Sequence, residues 1–104
     1  MTRHMIEVNF HKATAQADAL EEEAQQLRTL ANSQMDSTMQ DLRANWTGDA
    51  ASAYLEKCET MRQNLLLTAR QLVSCAQALR RSARRLYDAE MTALRIAEER
   101  AARA

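Results

Sequence analysis

Proline is absent from this chain of 104 residues, and glycine occurs once, at Gly48. These are the two residues that interrupt helices most strongly, so only one place, in mid-chain, asks the backbone to turn. The stretch Asn45-Trp46-Thr47-Gly48 holds that glycine and the only tryptophan two positions apart. Long segments on either side draw their apolar content chiefly from alanine, leucine and methionine, with four aromatic residues in the whole chain, a mixture that favours helix and offers little to a sheet. The expected fold class is all-α, an antiparallel two-helix hairpin making one domain over residues 1–104. Its first helix is expected over about residues 9–44, its turn at 45–48 and its second helix over about 49–100.

Residues 1–8 read as extended, with Met5, Ile6 and Val8 covering a helix end, and Asn9 is a plausible N-cap. Behind it Ala13, Ala17, Leu20, Ala24, Leu27, Ala31, Met35, Met39, Leu42 and Trp46 follow at steps of three or four, nine steps over 33 residues, close to the helical period. Gly48 suits a left-handed residue ending one helix, and Asp49 falls in the first turn of the next, where its charge meets the positive end of the helix dipole. Trp46 is large enough to close the end of a bundle.

In the second helix a seam of Tyr54, Cys58, Met61, Leu65, Thr68, Leu72, Cys75, Leu79, Ala83 and Leu86 advances by steps of four and three, alternating as far as Leu79, as in helices that pack lengthwise. Leu55, Leu66, Ala69, Val73 and Ala76 widen the apolar face on one flank. One hairpin needs only one seam, and two helices alone bury little surface, so a second hairpin is expected to complete a four-helix bundle. Leu20, Leu27, Leu42, Tyr54, Met61, Leu65, Leu72 and Leu79 are the expected core of hairpin and dimer. Antiparallel folding about the turn pairs residues whose numbers sum to about 95, which leaves Arg80, Arg81, Arg84 and Arg85 without acidic neighbours and lets the second helix project beyond about Arg85.

Net charge is zero, but residues 1–52 carry four basic and eight acidic groups and residues 53–104 carry ten and six. Unlike halves suit antiparallel copies of one chain, though a different partner would serve as well. No run approaches the roughly 20 apolar residues of a membrane helix, and the N-terminus lacks the pattern of a secretory signal peptide. Cys58 and Cys75 are about 25 Å apart along one helix, beyond disulfide reach, and are expected to be small buried hydrophobes. His4 and His11 stand alone. No catalytic, cofactor or metal constellation is expected, because no paired carboxylates, nucleophile with base or phosphate loop converge.

Two helices joined at mid-chain by a Trp-x-Gly turn resemble the WXG family of early-secreted-antigen-like proteins. The specific part runs from Asn45 to Tyr54: Trp46 and Gly48 fill the signature, and Ala50, Ala51 and Tyr54 stand where the family has small, small and aromatic residues. The resemblance implies a non-enzymatic dimeric hairpin, cytoplasmic before export and then secreted by the type VII system without an N-terminal signal. Its implied partners are a second copy, or another WXG-family chain, and the secretion ATPase, with a larger toxin as a further candidate. Trp46 and Gly48 would be half of a composite export signal. The family's other half is a C-terminal Tyr-x-x-x-Asp/Glu; here Tyr87 is followed at that spacing by Met91, and a looser pattern falls on Leu86, Glu90, Ala93 and Ala97. Alternative readings are a helical adaptor or chaperone for a larger secreted toxin, and nucleic-acid or anionic-membrane binding through the Arg80–Arg85 cluster. Neutral net charge and the lack of interleaved aromatics weigh against nucleic acid, and membrane interaction stays open.

Overall fold

The computed structural model describes all 104 residues, Met1–Ala104. It is all-α: α1 spans Arg3–Thr29, a π-helical turn Leu30–Met35 joins it to α2 at Asp36–Asn45, and α3 spans Asp49–Arg103. The hairpin divides into a terminal unit, Met1–Leu20 with Ser74–Ala104, and a turn unit, Glu21–Val73.

In the terminal unit, Arg3 lies beside Glu98, Phe10 beside Tyr87 and Asp18 beside Arg80. Numbers rise along one helix as they fall along the other, so the two run antiparallel. Ile6, Ala17, Ala76 and Ala83 are buried here. In the turn unit the buried side chains are Ala24, Ala31, Met39, Ala51 and Ala69, with Asn32 bonded to Arg62 across the pair. Alanine at the line of closest approach keeps the backbones near each other, and larger side chains fit only to either side.

That geometry rotates the α3 seam from its expected place. The innermost line runs through Ala51, Leu55, Cys58, Leu65, Ala69, Leu72, Ala76, Leu79 and Ala83, all buried or half-buried. Tyr54, Met61, Thr68, Cys75 and Leu86 are exposed. Ala69 and Ala76, expected as flank, are fully buried. Size explains the shift: two leucine-rich ridges hold helices farther apart than alanine against alanine, so the alanines take the centre. Tyr54 and Met61 therefore lie outside the core of a single hairpin, whereas Leu20, Leu27, Leu42, Leu65, Leu72 and Leu79 are half-buried.

Helix starts earlier than expected. Thr2, rather than Asn9, caps α1: its side-chain oxygen accepts from the Met5 N–H at 3.2 Å and its carbonyl from the Ile6 N–H at 3.1 Å. Nothing in residues 3–8 disfavours helix, and coiling them buries Ile6 to 2% exposure. Because α1 reaches back to Arg3, 4.0 Å from Glu98, the end of α3 does not project from about Arg85.

The π-helical turn was not foreseen. Ala17, Ala24 and Ala31 recur every seven residues, but the next buried position, Met39, comes eight later. A regular helix would swing Met39 about 100° off the seam for that one additional residue. The wider i→i+5 turn absorbs the insertion, and Met39 stays at 2% exposure.

Candidate functional site

The turn is built by the chemistry of its residues. α2 ends at Asn45, and Trp46 leaves helical conformation at φ −137°, ψ 127° while its N–H still donates to the Leu42 carbonyl. Gly48 has φ +108°, a backbone state that a β-carbon strains, and its carbonyl accepts the Ser52 N–H at 3.0 Å to start α3. An added β-carbon would meet no atom within 4 Å, so glycine is needed for conformation and not for space. Asp49 sits in the first turn of α3.

Trp46 does not close the core of the single hairpin. It is 43% exposed, its ring centroid 5.9 Å from that of Tyr54, which is itself 51% exposed. Since the chain leaves the helix one residue earlier, Trp46 drops off the end of the α2 stripe and rests beside the first turns of α3. Two aromatic rings thus stand together at the surface of the turn.

In the terminal unit Leu86, Tyr87 and Glu90 come together against α1, each in a different setting. Leu86 is 58% exposed. Tyr87 is half-buried, its ring 4.9 Å from Phe10, and the Arg84 guanidinium lies over both rings at 5.2 and 5.7 Å, within cation–π range. Glu90 is half-buried; its Oε2 is sealed from solvent without a hydrogen-bond partner beside a crevice of about 240 Å³ lined by Ile6, Phe10, Leu86 and Tyr87. Ile6 and Phe10 were absent from the sequence-based site. Extending the α1 stripe backwards from Ala13 at steps of three and four reaches both.

The arginine cluster is less isolated than expected. Arg80 pairs with Asp18 across the helices, because the pairs of the terminal unit sum to 97–101 and not to about 95, and Arg84 lies 3.9 Å from Asp88 one turn along its own helix. In the turn unit, Arg62 donates to both carboxylate oxygens of Glu59 at 2.9 and 3.1 Å and to the Asn32 Oδ1 at 3.3 Å. Those hydrogen bonds from Arg62 are the main reason the Glu59 carboxyl is held below its ordinary value, and Glu59 in turn raises Arg62.

Both cysteines are free. Cys58 is half-buried, but Cys75, expected inside, is exposed because it shares the flank of Thr68 and Met61. No group of three or more His, Cys, Asp or Glu side chains is placed to hold a metal ion, and no helix is long and apolar enough to cross a membrane. The described geometry presents surfaces: an aromatic pair at the turn, and an apolar flank carrying Met61 and Leu86, 59% and 58% exposed.

Compared with known proteins, residues 5–91 match the model of a family described as WXG100, proteins of 100 residues with WXG. Neither the curated proteins nor the solved structures contain a match to the chain.

Proposed function

The chain belongs to the WXG100 family of small proteins associated with type VII secretion, and from that premise we propose that it is a non-enzymatic substrate or export-targeting partner of that system, working through protein contacts alone. The carrying observation is the family match over residues 5–91, with Trp46 and Gly48 at the one break in the helices. Trp46 and Tyr54, half-exposed and side by side with their rings tilted by 57°, form the recognition surface at the turn, and Gly48 holds it in place. Leu86, Tyr87 and Glu90 supply the second element of the export signal. The exposed apolar flank of α3 supports pairing with a second hairpin of the family, because apolar side chains at this spacing gain by being covered. In this reading the chain is cytoplasmic until the secretion ATPase engages the paired hairpins.

Export is the test. Trp46→Arg, and separately removal of residues 86–104, abolish appearance of the chain in the culture medium while intracellular levels persist. Undiminished export of both variants, each with parental helicity by circular dichroism, overturns the proposal.

A further inference from the structure

Tyr87 and Glu90 are not open to a partner in the folded hairpin. Tyr87 is half-buried with its ring 4.9 Å from that of Phe10, and Glu90 is half-buried at the crevice it shares with Ile6. Ile6 and Phe10 lie in the first turns of α1, so the start of that helix covers the part of α3 read above as an export element. Met91 and Leu94 are half-buried, whereas every residue after Leu94 is exposed. The cover is short.

It is also weakly held. The first turn of α1 contains no acidic residue and begins at Arg3, whose charge opposes the positive end of the helix dipole. Arg3 approaches Glu98 only to 4.0 Å, with both side chains more than half exposed, so the pair contributes little. Ile6 is buried, yet it stands between two spaces, one of about 240 Å³ beside Phe10 and Tyr87 and one of about 630 Å³ beside Ala93 and Leu94. Packing around it is incomplete. Glu90 borders both spaces and keeps its Oε2 out of solvent without a hydrogen-bond partner, which penalises the closed arrangement. Lifting the start of α1 returns that oxygen to water.

We propose that residues 3–10 are a clasp over Tyr87 and Glu90, and that the secretion machinery engages this element in the fraction of molecules whose clasp has opened. The proposal rests on the export reading above and adds its regulation. Opening is local and leaves α3 and the alanine seam from Ala17 onward in place. Of the three residues, Leu86 alone is exposed while the clasp is closed.

The test combines amide hydrogen exchange, which reads the clasp independently of export, with the rate at which the full-length chain reaches the culture medium. Ile6→Ser removes the buried anchor. Exchange at Val8, Asn9 and Phe10 becomes about a hundredfold faster, Ala24 keeps its parental protection, and export quickens. Arg3→Glu combined with Glu98→Arg keeps the ion pair, changes only exposed side chains and puts an acid in the first turn, so exchange slows about threefold and export slows with it. Glu90→Met removes the sealed oxygen and slows exchange about tenfold. Exchange that all three variants leave at the parental rate overturns the clasp. Exchange that shifts as described while export of Ile6→Ser and of the charge swap stays parental overturns the masking and spares the export reading. Export that survives removal of residues 86–104 overturns that reading, and the clasp's role falls with it.

Discussion

At position 48 a single dihedral decides where the chain reverses. Gly48→Ala introduces no clash, yet forces an L-residue to φ +108°, so the folded state loses about 1 kcal/mol or more. Urea unfolding monitored by circular dichroism measures that loss, and Gly48→Asn is milder because asparagine tolerates left-handed backbone better. The Glu59–Arg62 pair makes a second prediction at this scale. The folded carboxyl is held below the ordinary value of 4.5 by hydrogen bonds from Arg62, so its contribution is fully present above that value and is lost as pH falls through the lower, folded one. Glu59→Gln therefore destabilises the protein at neutral pH, and the difference from the parent shrinks in acid below the carboxylate range. Parallel stability curves for the two proteins across that range would contradict the assignment.

Between residues and the whole hairpin, the unit that matters is the helix with its phase. Deleting Ser33 removes the inserted residue, restores seven-residue spacing from Ala31 to Met39 and lets α1 run into α2 as regular helix, so stability is retained or increased. Deleting Gln16 instead rotates everything before it by about 100° relative to the alanine seam and lowers the midpoint of thermal unfolding. Equal losses from both deletions would mean that the π-helical turn does not act as a phase corrector. Helix content and the position of the turn were legible in the sequence, because the absence of proline and the lone glycine leave no competing break. The α3 seam was misplaced by a fraction of a turn, since apolar periodicity marks a broad face without saying which residues touch. Only the paired alanines of both helices, Ala17 and Ala24 on one and Ala69 and Ala76 on the other, reveal the line of closest approach. The start of α1 was missed because Asn9 is a good cap by type, but Thr2 caps a helix that also buries Ile6, and burial outweighs the preference of one residue. Phe10 went unnoticed for the same reason, as it lay next to a presumed helix end.

For the molecule as a whole, the account joins two surfaces to one role. The aromatic pair at the turn is exposed although aromatic rings gain by burial, and the apolar flank of α3 is exposed although a hairpin has no use for it. Family membership and these uncovered surfaces point the same way, toward a protein that is completed by other proteins. In the proposed paired state opposite charges come into contact, so raising salt weakens self-association without unfolding the hairpin; sedimentation across a salt series reads this, and a dimer insensitive to salt would remove charge from the explanation. The claim that Trp46 serves recognition more than packing is tested most directly by Trp46→Ala, with thermal unfolding and export measured on the same variant. Trp46 is 43% exposed, so the account predicts an unfolding midpoint within a few degrees of the parent together with loss of the chain from the culture medium. A folded Trp46→Ala protein exported at the parental level would contradict it.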